Sequence, residues 1–220
     1  MKLAVLKFGK TEINEGMAFV GKSREKKLPI SLLFFLIEQD GKRILVDTGC
    51  DTMPGFPLFE HTSPVNILKQ YGLEPEDITD VILTHSHGDH IEGVKYYKNA
   101  NIYIHEAELE EAKPFLTEHK KVFTFKDEMV IATDVLIKHI GGHSAGSSIV
   151  LVKTNDKTYA ICGDECYTMD NLRENKPSGA SRNLEKNKAF IEEYRKPQYI
   201  PLLLHDPELL EELGFKIIIQ

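Results

Sequence analysis

No stretch of this sequence is long and apolar enough to cross a membrane. A spanning helix needs roughly 18–20 consecutive apolar residues. The longest apolar run, Ile30 to Ile37, is broken by Ser31 and reads as a buried strand. Met1-Lys2 leads straight into strand-like sequence, so no secretory leader is expected. Cysteine is scarce: Cys50, Cys162 and Cys166 are odd in number, which argues against a disulfide framework. These absences point to a cytoplasmic protein without membrane partners. Positive charge is in deficit too. With 27 Lys+Arg against 34 Asp+Glu the formal net charge is -7, which argues against general nucleic-acid binding, since that needs a basic surface. Lys22, Arg24, Lys26 and Lys27 make one local basic cluster, read as a solvated loop. Low-complexity segments and linkers are missing as well, so the chain is expected to form one domain over residues 1–220.

Histidine, by contrast, is concentrated. Thr84-His85-Ser86-His87-Gly88-Asp89-His90 follows the strand-like Val81-Ile82-Leu83 and places four metal-capable side chains within six residues. Imidazole nitrogen and carboxylate oxygen are the donors that zinc and related divalent ions take in hydrolytic sites. Alternate positions in a tight turn let His85 and His87 converge on one ion, while Asp89 and His90 face a second. Further donors follow downstream. His143 lies in Gly141-Gly142-His143-Ser144-Ala145-Gly146, where glycine lets the backbone approach a site closely. Asp164 comes just after the apolar strand Tyr159–Cys162, and His205 ends the apolar strand Ile200–Leu204. Each of these taken singly also reads as a turn residue. Their number is the argument: His85, His87 and His143 serve a first ion, Asp89, His90 and His205 a second, and Asp164 bridges the two. Each ion then keeps the open position that a catalytic site requires. Asp47, ending the strand in Leu45-Val46-Asp47-Thr48-Gly49, suits the acceptor that a metal-bound imidazole needs for its second N–H, with a plain turn as the alternative.

The remaining pattern alternates strands with helices. Strands are expected at Leu3–Phe8, Ile30–Glu38, Arg43–Asp47, Val81–Thr84, Asn101–His105, Val122–Phe125, Met129–His139, Ser148–Lys153, Thr158–Cys162, Tyr199–Leu204 and Phe215–Ile219. Asp40-Gly41 and Asn155-Asp156 mark hairpin turns. Helices are expected from Pro64 to about Tyr71 with Gly72 as the stop, over 89–98, from Glu106 to about Lys113, over Leu184–Tyr194, and over Pro207–Leu213. In Leu184–Tyr194 the buried positions are expected to be Leu184, Ala189, Ile191 and Tyr194. Strand pairs interleaved with helices predict an α/β fold of two packed sheets with helices outside.

The order His85-x-His87-x-Asp89-His90, His143, Asp164, His205, together with Leu45-Val46-Asp47-Thr48-Gly49, resembles the dinuclear hydrolases of the metallo-β-lactamase superfamily over nearly the whole chain. The resemblance implies a four-layer αββα sandwich with the site between the inner sheet edges. Within that superfamily the chain is most similar to the N-acyl-homoserine lactonases, the quorum-quenching enzymes. Leu28-Pro29-Ile30, Val65-Asn66-Ile67-Leu68-Lys69 with Gly72, Glu74-Pro75-Glu76-Asp77, Asp164-x-x-Tyr167-Thr168 and His205-Asp206 carry this likeness. It implies a catalytic role for Tyr167, three residues after the bridging aspartate. Two departures bear on the acyl-chain preference: a shorter segment after Asp47-Thr48-Gly49, and Gly88 in place of a bulkier apolar residue.

The expected reaction is attack of a hydroxide bridging two divalent ions on a lactone or other ester carbonyl. Tyr167 would stabilise the oxyanion and Asp89 would deliver the proton to the leaving alkoxide. Zinc is the default ion, and iron, manganese and cobalt suit the same donors. The alternative is a thioesterase of the glyoxalase-II kind, whose glutathione carboxylates would need the 22–27 cluster. A phosphodiesterase would want a stronger positive field, and a metal sensor without turnover would not need open positions.

Overall fold

The run Ile30–Ile37 is apolar at nearly every position because both faces of its strand are covered. In the computed structural model, which describes all 220 residues, successive side chains of this run point into two different cores. Leu32, Phe34 and Leu36 join one cluster with Leu6, Phe8, Ile67 and Leu68, whereas Leu33, Phe35 and Ile37 join another with Val5, Ile137, Val150 and Ile161. A strand alternates its side chains between the two faces of its sheet, so double coverage turns an alternating pattern into a continuous one.

The strands in chain order are β1 (Lys2–Asn14), β2 (Lys27–Gln39), β3 (Lys42–Val46), β4 (Asp80–Ile82), β5 (Asn101–His105), β6 (Val122–Phe125), β7 (Glu128–Ala132), β8 (Val135–His139), β9 (Ser148–Lys153), β10 (Thr158–Ile161), β11 (Tyr199–Leu202) and β12 (Gly214–Ile219). The helices are α1 (Glu15–Ala18), α2 (Pro64–Tyr71), α3 (Gly88–Ile91), α4 (Leu109–Leu116), α5 (Met169–Arg173) and α6 (Leu184–Tyr194). One seven-stranded sheet runs β12-β1-β2-β3-β4-β5-β6, and a five-stranded sheet runs β11-β10-β9-β8-β7. Three buried clusters separate four layers. The first lies between the large sheet and α2 and α4, with Leu45, Ile67, Leu68, Val81, Ala112 and Leu116. The second lies between the sheets, with Phe35, Val46, Ile82, Val150 and Leu202. The third lies between the small sheet and α5 and α6, with Ile149, Leu151, Ala160, Leu172, Phe190 and Ile191. This is the αββα order expected from the sequence. No helix is long and apolar enough to cross a membrane.

Local signals place several elements at their expected bounds. Helix α2 starts at Pro64 and stops at Gly72, whose φ of 100° is the left-handed cap that glycine provides. Asp40 and Gly41 have φ values of 54° and 75°, as a tight turn between antiparallel strands requires.

Four expectations are corrected. Met129–His139 is not one strand but the hairpin β7–β8, because Asp134 turns the chain with a φ of 63° and no glycine marks the place. Residues 89–98 do not form one helix: α3 ends at Ile91, and Glu92–Tyr96 tightens into a 3₁₀ turn where Gly93 donates its N–H to Gly49 O at 2.8 Å. Pro207–Leu213 is not helical. Lys7 Nζ takes the carbonyls of Leu210 and Glu211 at 2.9 and 2.7 Å, and Asp206 Oδ1 accepts the Glu208 N–H at 3.1 Å, which favours turns over a helix. In α6 Ala189 is exposed and Leu184 only half-buried, while Asn187 and Phe190 are buried beside Ile191 and Tyr194. The first strands are also longer than expected, with β1 reaching Asn14 and β2 starting at Lys27.

Candidate metal centre

Strands β3 and β4 run parallel and deliver their C-terminal ends to one edge of the sandwich. At the end of β3, Asp47 adopts a φ of 60°, a left-handed conformation that turns its side chain back across β4. Its Oδ1 accepts the Thr84 N–H at 2.7 Å and its Oδ2 accepts the Thr84 hydroxyl at 2.8 Å. The segment that follows β4 is thereby held open, and His85, His87, Asp89 and His90 leave it toward one point. The small sheet supplies the rest: His143 follows β8, Asp164 follows β10 and His205 follows β11.

All seven expected donors meet in two adjoining groups. His85, His87, His143 and Asp164 form one and Asp89, His90 and His205 the other, with the donor atoms of each within 4.8 Å of one another. In the first, His87 Nδ1 lies 3.0 Å from both His85 Nε2 and His143 Nε2. Asp164 Oδ2 lies 3.6 Å from His143 Nε2 and 4.0 Å from His85 Nε2. In the second, His90 Nε2 and His205 Nε2 lie 3.4 and 3.6 Å from Asp89 Oδ2. The other oxygen of Asp164, Oδ1, lies 3.2 Å from His90 Nε2 and 3.1 Å from His205 Nε2. Thus each group receives a different oxygen of one carboxylate.

This arrangement fits divalent ions. Donors about 2.0–2.1 Å from a tetrahedral ion stand about 3.3 Å apart, within the range of spacings here. Buried His90 Nε2 and Asp164 Oδ1 have no hydrogen-bond partner, a costly situation unless something else engages them. Three of the outward nitrogens are held as metal-binding imidazoles require, while His143 Nδ1 is buried without a partner. His90 Nδ1 meets Asp47 Oδ2 at 2.8 Å, His205 Nδ1 meets Ser31 O at 2.9 Å, and His85 Nδ1 meets Thr84 Oγ1 at 3.1 Å.

Burial and charge set the protonation of the donors. Burial, helped by the neighbouring His90, holds His85 well below the usual imidazole range, and burial takes His143 down to about 4, so both are neutral. For His90 burial works the same way, but the carboxylates of Asp89, Asp164 and Asp47 outweigh it and raise its pKa. Burial opposes ionisation of Asp164, yet His205 and His90 beside it hold its pKa well below the ordinary value.

Tyr167 lies 4% exposed beside the cluster, its ring stacked on His205 with centroids 5.3 Å apart and 17° between planes. Burial, with Asp164 and Asp89 nearby, pushes its phenol well above the usual range, so it stays a hydrogen-bond donor. A cavity of about 380 Å³ opens onto the same point. Its floor is His87, Asp89, His143, Asp164, Tyr167 and His205, and its walls are Ile13, Met17, Ile30, Met53, Pro54, Phe56 and Ala180. The basic cluster at Lys22, Arg24, Lys26 and Lys27 is exposed, and Lys26 pairs with Glu15 at 2.7 Å.

Two buried carboxylates carry no mark in the sequence. Glu165 Oε1 accepts the N–H groups of Gly142 and His143 at 3.0 and 3.1 Å and the Ser147 hydroxyl at 2.6 Å. Glu108 takes four donors from the loops around the first group, and although burial opposes its charge, these donors lower its pKa. Each sits beside other acidic residues, so residue type gave no signal.

Residues 33–200 match the family model described as the metallo-beta-lactamase superfamily. The chain belongs to the metallo-beta-lactamase superfamily. Among curated members it is similar to an N-acyl homoserine lactonase of a Bacillus species, 27% identical over 217 residues that cover 86% of each chain. Among solved members it is similar to a quorum-quenching N-acyl homoserine lactone hydrolase, with a TM-score of 0.83 and 25% identity over 96% of this chain and 94% of that one. Another neighbour is an N-acyl homoserine lactone hydrolase with the product N-hexanoyl-L-homoserine bound at its catalytic metal center. Its TM-score is 0.82 at 24% identity, over 94% of each chain, a likeness of fold. For this superfamily member, the two donor groups sharing Asp164 could hold a pair of divalent ions.

Proposed function

We propose that the protein is a dinuclear metal-dependent hydrolase that opens N-acyl-homoserine lactones or closely related lactones. The observation that carries this reading is the apolar cavity ending on the donor cluster and Tyr167, which suits a ligand with an aliphatic tail and a compact ester head. His85, His87 and His143 would hold one ion, Asp89, His90 and His205 the other, with Asp164 between them. Zinc is the proposed ion for these nitrogen and carboxylate donors. Bound there, divalent ions supply Lewis acidity and a water acidified to a pKa of about 7.

The side chains do the remaining work. The walls formed by Ile13, Met17, Ile30 and Phe56 bind the acyl chain and exclude water from the ester. The phenol of Tyr167 donates to the carbonyl oxygen as charge develops on it. Asp89 takes the proton released by the attacking water and returns it to the leaving alkoxide, so the ring opens to a free acid and an alcohol. Asp47 keeps His90 in the tautomer whose Nε2 faces the cluster.

The test is turnover of a panel by zinc-loaded protein: acyl-homoserine lactones, simple lactones, thioesters and phosphodiesters. The expected result is the highest kcat/KM on an acyl-homoserine lactone, with about two ions per chain by elemental analysis. Faster turnover of a thioester than of every lactone would overturn the substrate assignment.

A further inference from the structure

The three histidines of the first group come from two loops that regular structure does not stiffen. His85 and His87 lie between β4 and α3, and His143 lies between β8 and β9. Glu108, just before α4 and 2% exposed, stands between those loops. Its Oε2 accepts the Ser86 N–H at 3.0 Å and the Ser86 hydroxyl at 2.6 Å. Its Oε1 accepts the Ser144 hydroxyl and the Gly146 N–H, both at 2.7 Å. Ser86 sits between His85 and His87, and Ser144 follows His143. The fit is closed, because a Cβ on Gly146 would fall 2.7 Å from Glu108 Cγ.

We infer that Glu108 is a positioning residue for the first ion: its carboxylate fixes the spacing between the His85–His87 loop and the His143 loop, and so sets that ion's affinity without touching it. The inference rests on the metal reading of the donor cluster. The chemistry demands a carboxylate. Each oxygen faces one backbone N–H and one hydroxyl, and backbone N–H groups cannot turn round to accept. A glutamine at this position would point its NH₂ at Gly146 N–H or at Ser86 N–H, breaking one half of the bridge. The serines that Glu108 holds are chain neighbours of His85, His87 and His143, and none of its partners adjoins Asp89, His90 or His205. Supporting hydrogen bonds around metal ligands typically govern roughly 10–100-fold in affinity.

Asp80 provides the matched control. It is a buried carboxylate, 1% exposed, with donors from Lys42, Thr79, Asn101 and Tyr103, at the start of β4, whose other end leads into the metal loop. The experiment is titration of metal-stripped protein with zinc against a chromophoric chelator, in two backgrounds: His205→Ala, which leaves the first group intact, and His87→Ala, which leaves the second. Glu108→Gln is expected to weaken zinc binding roughly 10–100-fold in the His205→Ala background. In the His87→Ala background it should leave binding unchanged. Asp80→Asn is expected to lower the melting temperature without shifting either affinity. Should Glu108→Gln not fold, Ser144→Ala removes one of the four donors and leaves the carboxylate in place. It should give a smaller shift of the same selectivity. Equal shifts in both backgrounds, or none in either, would overturn the inference while leaving the metal reading intact. A wild-type chain that binds no zinc would overturn both.

Discussion

Tyr167 presents a phenol held protonated at the foot of the cavity, and its neighbours explain why its role differs from packing. A ring that only filled space would need no particular polar tip, whereas this one stacks on His205 and faces the Asp164 and Asp89 carboxylates. Replacing Tyr167 with Phe keeps the stack and removes the donor. The expected outcome is unchanged melting temperature and metal content, with kcat/KM on the best lactone reduced by about 5–150-fold, the worth of a lost transition-state hydrogen bond of about 1–3 kcal/mol. Unchanged kcat/KM in steady-state kinetics would return Tyr167 to the role of packing. The metal donors were legible in the sequence because their types are rare and their spacing unusual: an ordinary solvated loop seldom gathers three histidines and an aspartate directly after a strand. Tyr167 was singled out only by the family resemblance. Glu108 was not legible. In Glu106-Ala107-Glu108-Leu109-Glu110-Glu111 four glutamates share the look of a solvated helix, and only the fold shows that Glu108 is the buried one.

Elements were legible where a single residue type forces the chain and illegible where the cause lies far away in sequence. Pro64 and Gly72 fix α2 locally. The break between β7 and β8 depends on Asp134 tolerating a left-handed conformation, and the loss of a helix after Pro207 depends on Lys7, near the opposite end of the chain. Asn187 is hidden inside α6 because it serves Glu165 and Ser178, donating to Glu165 O at 2.7 Å and accepting the Ser178 N–H at 2.9 Å, so an apolar stripe could not reveal it. The wall of the cavity is another long-range product. The segment 177–180 lies against α1, with Ala180 N–H donating to Met17 O at 2.9 Å and Val20 N–H to Pro177 O at 3.0 Å. Gly179 makes this approach possible, since a Cβ there would fall 1.9 Å from Gly16 O, a backbone atom that cannot swing aside. Gly179→Ala should therefore push α1 and Met17 outward. The expected result is a stability loss of about 1–3 kcal/mol, a raised KM for long-chain lactones, and an unchanged metal content. Denaturation and kinetics over a series of acyl lengths check this; an unaltered KM across the series would mean that this wall does not bind the acyl chain.

At the scale of the whole molecule, the donor cluster joins two sheets that otherwise meet mainly through side chains such as Phe35, Ile82, Ile137 and Val150. His85, His87, Asp89 and His90 hang from the large sheet, and His143, Asp164 and His205 from the small one. Ions bound there would cross-link the layers in the folded state and find no such set of donors in the unfolded chain. Binding that is confined to the folded state stabilises it by about 2.7 kcal/mol for one site at a free concentration of 100 times Kd. For a domain of this size each kcal/mol moves the melting temperature by about 2–4 °C. Stripping the protein with a chelator should therefore lower the melting temperature by about 5–10 °C or more, and added zinc should restore it. Because Asp164 gives one oxygen to each group, Asp164→Ala should flatten the zinc-dependent shift and lose most activity together. Calorimetry of stripped and loaded protein decides the matter. Coincident transitions would mean that the cluster is held by the fold alone, whereas a shift present in the native chain and absent in Asp164→Ala would place the ions at the seam between the two sheets.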